Sequence, residues 1–347
     1  MSATAAAVRG VSRPPRAGAR LRLFCFHHAG GAASAYAGWP QALGPDVDVL
    51  PVQLPGRENR IREPRPIGLS AIVRALGDDL DPLLEGPYAF YGHSMGALVG
   101  YELARVRAQA GRSTPSALLV GAYPAPDRPP AFLRMGAMGD EELARLMVGI
   151  GGMSAALLDY PQWCAAAVAL LRDDLTACQF SPLRHPPLPL PIHAFAGTDD
   201  PLMPAAEAGG WQRFGGPGGS THVLPGGHFF LRDSGPRLLG LVADILAADG
   251  ADGAGGMDGA DGADGVDGAE GADGAGGMGG ADGLTEPGAG PVPVGAARGS
   301  GPAGGPAPTG PKSPTGPTGP KSQTGPNSPT GPGSSRRPPP EATRGGG

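Results

Sequence analysis

Tyr88-Ala89-Phe90-Tyr91-Gly92-His93-Ser94-Met95-Gly96-Ala97-Leu98-Val99-Gly100 is the stretch that decides how the chain is read. Its first four residues are aromatic or small and apolar, which marks a buried strand. From Gly96 to Ala110 the spacing of small and apolar residues is helical, with the smallest side chains on the first turn. Little chain is left between strand and helix, so the backbone must turn sharply at Ser94. Glycine at both flanks, Gly92 and Gly96, lets neighbouring backbone come close. A serine on such a strand-to-helix turn stands at a helix N-terminus, where the dipole favours a developing anion. Ser94 is therefore the candidate nucleophile.

Working outward, Leu21–Phe26 is an apolar run that ends in the loop His27-His28-Ala29-Gly30-Gly31. Val47–Leu54 reads as a second strand, closed by Pro55-Gly56. Ser70–Leu80 has helical spacing, with Ser70 as a possible N-cap and Pro82 as a stop. Ala117–Ala122, Ile192–Ala196 and Thr221–Leu224 read as further strands, and Leu238–Ala248 as a closing helix. Strands alternating with helices imply an α/β fold: a mostly parallel central sheet with helices on both faces. Between Tyr123 and Pro191 the alternation stops. Glu141–Val148 and Trp163–Leu175 read as helices, and the segment of about residues 124–190 is expected to form a helical lid over a crevice.

A serine needs a base, and on the α/β-hydrolase fold the acid and the histidine follow it in the order Ser, Asp or Glu, His. The chain has seven histidines. His93 adjoins the nucleophile, and adjacent side chains on a tight turn diverge. His185 lies among prolines, and His193 and His222 fall in strands. His228 sits in Gly226-Gly227-His228-Phe229-Phe230, a loop just before the last helix, and is the expected base, with His222 a weaker alternative. The acid should follow the penultimate strand, where Gly197-Thr198-Asp199-Asp200-Pro201 offers two carboxylates. The Gly-x-x-Asp spacing favours Asp200, and Asp199 is then a capping or solvated residue. Two backbone donors are needed for an oxyanion: the N–H of Met95, just after the nucleophile, and an N–H from the loop after the first strand, for which Ala29 is chosen. His27 and His28 lack a third partner at metal-ligand spacing, so no metal is expected.

Composition sets the limits of the domain. Residues 1–248 hold 21 acidic and 21 basic side chains, and the rest of the chain supplies the whole net charge of −5. A formally neutral core gives no support for nucleic-acid binding. Cys25, Cys164 and Cys178 are odd in number and lack CxxC spacing, which argues against a disulfide framework or a structural zinc. No stretch is long and apolar enough to span a membrane, and the N-terminus has no apolar h-region, so a soluble cytoplasmic protein is expected, and a monomer. Residues 1–20 are read as a flexible N-terminus and 21–248 as the folded domain. Residues 249–347 are read as a low-complexity tail that cannot bury enough apolar area to order itself. From Gly253 to Gly283 every third residue is glycine, the collagen period, but no proline falls in that run. A flexible acidic linker followed by a semi-extended arm is the expectation.

Five short motifs occur in a fixed order: Phe24-Cys25-Phe26-His27-His28-Ala29-Gly30-Gly31, Gln53-Leu54-Pro55-Gly56-Arg57, Gly92-His93-Ser94-Met95-Gly96, Gly197-Thr198-Asp199-Asp200-Pro201 and Gly226-Gly227-His228-Phe229-Phe230. Together they resemble the type II thioesterases that accompany polyketide synthases and nonribosomal peptide synthetases. The resemblance spans about Leu21 to Ala247. It implies Ser94, Asp200 and His228 as a triad, Met95 and Ala29 as oxyanion donors, and no cofactor. It also implies a helical lid over a channel that admits a phosphopantetheine arm, and as partners the acyl or peptidyl carrier proteins that bear it. Proline is usual in that family at the position of His27, and the tail is no part of its pattern.

Overall fold

Wherever the sequence places an apolar run bounded by turn residues, the computed structural model has a strand: β1 (Leu21–Phe26), β2 (Val47–Pro51), β3 (Tyr88–His93), β4 (Leu118–Gly121), β5 (Ile192–Gly197) and β6 (Ser220–Leu224). The structure describes residues 9–180 and 185–252. The tail from residue 253 onward, with the linker and arm expected there, lies outside the described residues. The six strands form one sheet in the order β2-β1-β3-β4-β5-β6, every adjacent pair parallel. β3, β4 and β5 are buried at every position, which requires cover on both faces of the sheet. The edge strand β6 alternates between exposed and less exposed residues.

This strand order has a functional consequence. The chain starts at β1, moves to β2 on one side, then crosses to β3 on the other. Loops leaving β1 and β3 therefore diverge at their carboxyl ends, and such a divergence opens a crevice in parallel sheets. Ser94 follows β3 and Ala29 follows β1. Asp200 and His228 follow β5 and β6, whose carboxyl ends lie along the same rim.

The helices are α1 (Trp39–Ala42), α2 (Leu69–Leu80), α3 (Met95–Gln109), α4 (Asp140–Gly149), α5 (Pro161–Ala177), α6 (Phe230–Asp233) and α7 (Gly235–Asp252). α4 and α5, with short 3₁₀ turns at Ala131–Ala137 and Ala155–Asp159, form the helical insertion between β4 and β5. Its apolar positions Leu143, Met147, Val168 and Leu171 are buried. Among the described residues no helix is long and apolar enough to cross a membrane.

Two expectations need correcting. Ser70 does not cap α2. It lies inside the helix, and the cap position falls to Gly68, whose φ of +82° suits glycine. Residues 9–20, expected to be flexible, are tied to β2. Val11 forms an antiparallel bridge to Val52, the Arg13 guanidinium pairs with Asp48 at 2.6 Å, and the Arg16 amide donates to the other Asp48 oxygen at 2.7 Å. The reason is electrostatic: Asp48 sits on an outer strand with its side chain fully buried, and a buried carboxylate must be partnered.

The turn after β3 is built on close approach. A Cβ added at Gly96 would lie 2.0 Å from the Phe26 carbonyl oxygen and 2.8 Å from that of His27. A Cβ at Gly92 would lie 2.1 Å from the Gly96 carbonyl oxygen. Gly100, one turn along the same helix, has room: its nearest neighbour would be a Phe26 ring carbon at 3.4 Å. Gly96→Ala should therefore cost about 3 kcal/mol or more in urea unfolding, because two backbone segments must separate, while Gly100→Ala should cost less than about 1 kcal/mol. Equal costs for the two variants would remove close approach as the reason for Gly96.

Candidate active site

Ser94 holds φ +54° and ψ −122°, a conformation that side-chain-bearing residues rarely adopt. Its N–H donates to the Gly121 carbonyl at 2.7 Å, which anchors the turn to β4. The strain delivers Ser94 Oγ to a position 3.0 Å from His228 Nε2. On the far side of the ring, His228 Nδ1 lies 2.9 and 3.1 Å from the two Asp200 oxygens. A carboxylate accepts, so Nδ1 carries the proton and Nε2 is left to accept from the serine hydroxyl. The Asp200 side chain is fully buried, and one of its oxygens also accepts the backbone N–H groups of Leu202 and Met203 at 2.8 and 3.1 Å. Those bonds fix the position of the carboxylate.

The sequence left two carboxylates and two histidines open, and the geometry separates them. Asp199 is exposed and its carboxylate accepts from the Thr198 hydroxyl at 2.8 Å, while its backbone N–H donates to Gly226. His222 stacks on Phe195 with ring centroids 5.0 Å apart and bonds Ser220 Oγ, the same hydroxyl that His193 engages. Neither is brought to Ser94. Gly197 lets the Asp200 and His228 loops meet, since a Cβ there would lie 2.4 Å from the Gly227 carbonyl oxygen.

Met95 is the first residue of α3, so its N–H has no carbonyl one turn back within the helix. Ala29 shares a cavity with Ser94 and His228. The cavity is narrow, about 20 Å³. Apolar side chains wall it, among them Phe132, Met135 and Met147 of the insertion and Leu171 and Leu175 of α5. Two larger clefts adjoin it. One, of about 260 Å³, shares Phe132 and Leu175; the other, of about 410 Å³, shares Ile150, His228 and Phe229 and includes Asp199 and Arg232. Among the described residues no cluster of three or more His, Cys, Asp or Glu is placed to hold a metal.

His93, set aside as a base, has a use that sequence order does not reveal. Its side chain turns away from Ser94, and Nε2 lies 2.8 Å from the His228 carbonyl oxygen, to which it donates. A ring from β3 thus holds the backbone of His228, 135 residues away. Burial, followed by the proximity of His228, lowers the His93 pKa to about 3, so the ring is neutral. His27 donates from Nδ1 to the His28 carbonyl at 2.9 Å, a bond that ties the loop to itself. Burial, then the Arg57 cation, lowers its pKa to about 4.

Comparison with known proteins places this geometry in context. The Thioesterase domain family matches residues 21–246. Linear gramicidin dehydrogenase LgrE of Brevibacillus parabrevis is 34% identical over 232 residues, covering 66% of this chain and 88% of that protein. Among solved structures, the RedJ thioesterase of the prodiginine pathway in Streptomyces coelicolor is 35% identical with a TM-score of 0.61, covering 68% of this chain and 91% of that one. BorB, titled a type II thioesterase of the borrelidin cluster, is 35% identical with a TM-score of 0.60, covering 68% of this chain and 96% of that one.

Two outcomes follow. Asp200→Asn should lower kcat by several orders of magnitude, about 10⁴-fold where a triad acid has been neutralised in this way, while Asp199→Asn should cost less than about tenfold. Steady-state kinetics on any turned-over acyl substrate decides, and reversed effects would make Asp199 the orienting group. The second outcome concerns acid stability. His27 and His93 stay neutral in the fold down to about pH 4 and about pH 3, whereas in the unfolded chain they bind protons below about 6.5. Their contribution is complete above pH 6.5 and is lost as pH falls toward those lower values, at up to about 1.4 kcal/mol per pH unit for each ring. Denaturant unfolding between pH 7 and 4.5 should show this slope, and His93→Gln should flatten it. An unchanged slope in that variant would mean that the ring is already protonated in the fold.

Proposed function

This chain belongs to the thioesterase family, and on that premise we propose that it is a stand-alone cytoplasmic enzyme that hydrolyses acyl or aminoacyl thioesters from phosphopantetheinyl carrier proteins of a polyketide or nonribosomal peptide synthase. The observation that carries the proposal is the unbroken hydrogen-bonded line Ser94–His228–Asp200 at the carboxyl rim of the sheet. Ser94 Oγ attacks the thioester carbonyl as His228 Nε2 takes its proton, and Asp200 stabilises the imidazolium that forms. The amides of Met95 and Ala29 hold the tetrahedral oxyanion, each contributing about 3 kcal/mol to the barrier reduction. His228 Nε2 gives the serine proton to the pantetheine sulfur as the C–S bond breaks, so the thiol leaves and the base is neutral again. His228 then takes a proton from the water that attacks the acyl-enzyme and returns it to Ser94 Oγ as the acid departs.

The apolar cavity beside Ser94 suits an acyl group, and the cleft that reaches His228 suits the thiol arm, because the departing sulfur must leave on the side of the base. The cavity is walled in part by the helical insertion, which acts as a lid: Phe132, Met135 and Met147 shift to admit substrate, and methionines adapt easily to such a change. The dehydrogenase in the name of LgrE does not carry over. The turn after β1 reads Phe26-His27-His28-Ala29-Gly30-Gly31, without the G-x-G-x-x-G fingerprint that cradles a dinucleotide there.

The test compares kcat/KM for one acyl group on a holo-carrier protein, on free pantetheine and as an oxygen ester, at low and moderate ionic strength. The carrier should be preferred, since contacts remote from the carbonyl can orient the thioester. The preference should survive added salt, because the folded region is formally neutral and long-range steering is weak. Equal values on carrier and free pantetheine, or a preference for the ester, would make this a general esterase with the same proposed triad.

A further inference from the structure

The loop after β1 is held by more than its own turn. Gly30 has φ +73°, and the Gly31 N–H closes back onto the His28 carbonyl at 3.0 Å. Two further polar groups of these glycines are taken from outside. The Gly30 N–H donates to Asp174 on α5 at 2.7 Å. The Gly31 carbonyl accepts Arg57 Nη1 at 2.9 Å. Arg57 and Asp174 are themselves joined by two parallel bonds of 2.9 and 2.8 Å, with side chains only 5% and 3% exposed. Three segments far apart in sequence thus meet at the backbone of Gly30 and Gly31.

We propose that Arg57 and Asp174 are a positioning pair. They fix the plane of the Ala29–Gly30–Gly31 backbone so that the Ala29 N–H points at the oxyanion formed on Ser94, and they do so only while α5 is seated. A buried ion pair is a poor source of net stability, because desolvation offsets much of its attraction. What this pair supplies is geometry. The planar guanidinium matches the carboxylate with two bonds, and Nη1 also reaches the Gly31 carbonyl. Asp174 rides on the helical insertion, whose Leu171 and Leu175 wall the cavity at Ser94. Seating the helix therefore closes the cavity over the acyl group and completes the oxyanion site in one movement. With the helix displaced, Gly30 loses the Asp174 carboxylate and Arg57 loses the partner that aims it at the Gly31 carbonyl, and the loop relaxes away from its working orientation.

The inference rests on the proposed role of Ala29 as an oxyanion donor, and its test is independent of the natural substrate. The variant is Arg57→Met/Asp174→Leu, which removes both charges and strands neither. Wild type and variant are compared on p-nitrophenyl butyrate and butyryl-pantetheine, with thermal unfolding alongside. Inhibition is measured with butaneboronic acid, a tetrahedral mimic, and with butyramide, a ground-state mimic. The expected result is a native-like melting temperature, a KM within twofold and a kcat lowered about 30-fold, short of the roughly 10²–10³ seen when a donor is lost outright. Boronate affinity should fall with kcat, and butyramide affinity should hold. A kcat within twofold of wild type, or boronate affinity that does not follow kcat, would overturn the proposal. Should the double variant fail to fold, Arg57→Lys decides: one ammonium cannot make both carboxylate bonds and reach Gly31, so kcat should fall about tenfold, and an unchanged kcat would overturn the pair's role. If wild type cleaves the ester but not the thioester, the substrate proposal fails while the ratio of variant to wild type on the ester still tests the pair.

Discussion

At Ser94 the backbone occupies a region of φ/ψ space that costs a side-chain-bearing residue about 1–3 kcal/mol. The surrounding contacts over-determine it. The Ser94 N–H is pinned to Gly121 on β4, and Gly96 lies against the Phe26 and His27 carbonyls at the end of β1. The central strand β3 is thereby locked to both of its sheet neighbours at the level of the turn. A larger residue at Gly96 would push the turn away from the end of β1, and one at Gly92 would push the first turn of α3 off β3. The distances among Ser94, His228 and Asp200 are set by this close packing of backbone, before any side chain is chosen.

Parallel strands supply the second constraint. Because all six run the same way, every crossover brings the chain back to the opposite end of the sheet, and each strand delivers its outgoing loop to one rim. Residues at 29, 94, 200 and 228 can therefore share a site without any local sequence relation. His93 ties this arrangement inward, since its donation to the His228 carbonyl makes the position of the base depend on β3 as well as on β6. The neutral, buried state of that ring is part of the support: a charged imidazole would have to be solvated or paired, and the apolar rings of Phe229 and Phe230 beside it offer neither.

What was legible in the sequence is what local chemistry dictates. Apolar runs marked the strands, and Gly92 and Gly96 marked the turn because only glycine tolerates such approach. Order along the chain and flanking glycines favoured Asp200 and His228 over Asp199 and His222. What was not legible depends on partners that only tertiary packing supplies. Asp174 lies within an ordinary helical pattern, and nothing beside it in sequence says that it will meet Gly30 and Arg57. Ser70 looks like a cap, yet the helix begins one residue before it, because Gly68 takes the cap position at positive φ. Residues 9–20 read as a flexible N-terminus without apolar pattern, but the unmet need of buried Asp48 recruits Arg13 and the Arg16 amide, and Val11 pairs with Val52 just past β2. For Asp174 and Asp48 alike, a carboxylate buried by the fold meets partners remote in sequence.

The same logic explains how the insertion can serve both closure and charge stabilisation. An oxyanion donor is worth most where water is excluded, since the low dielectric strengthens its interaction with the developing charge. Exclusion requires the apolar face of α5 to be packed over Ser94, and packing alone leaves the insertion free to seat in more than one way. Asp174 removes that freedom. Its carboxylate is satisfied only where Gly30 and Arg57 meet it, so any other seating of α5 would leave a buried charge without partners. Apolar contacts thus provide the closure, and one polar contact provides the register. The two can be separated in principle, which is why a loss of register without a loss of folding is the behaviour that distinguishes this arrangement from a simple hydrophobic cover.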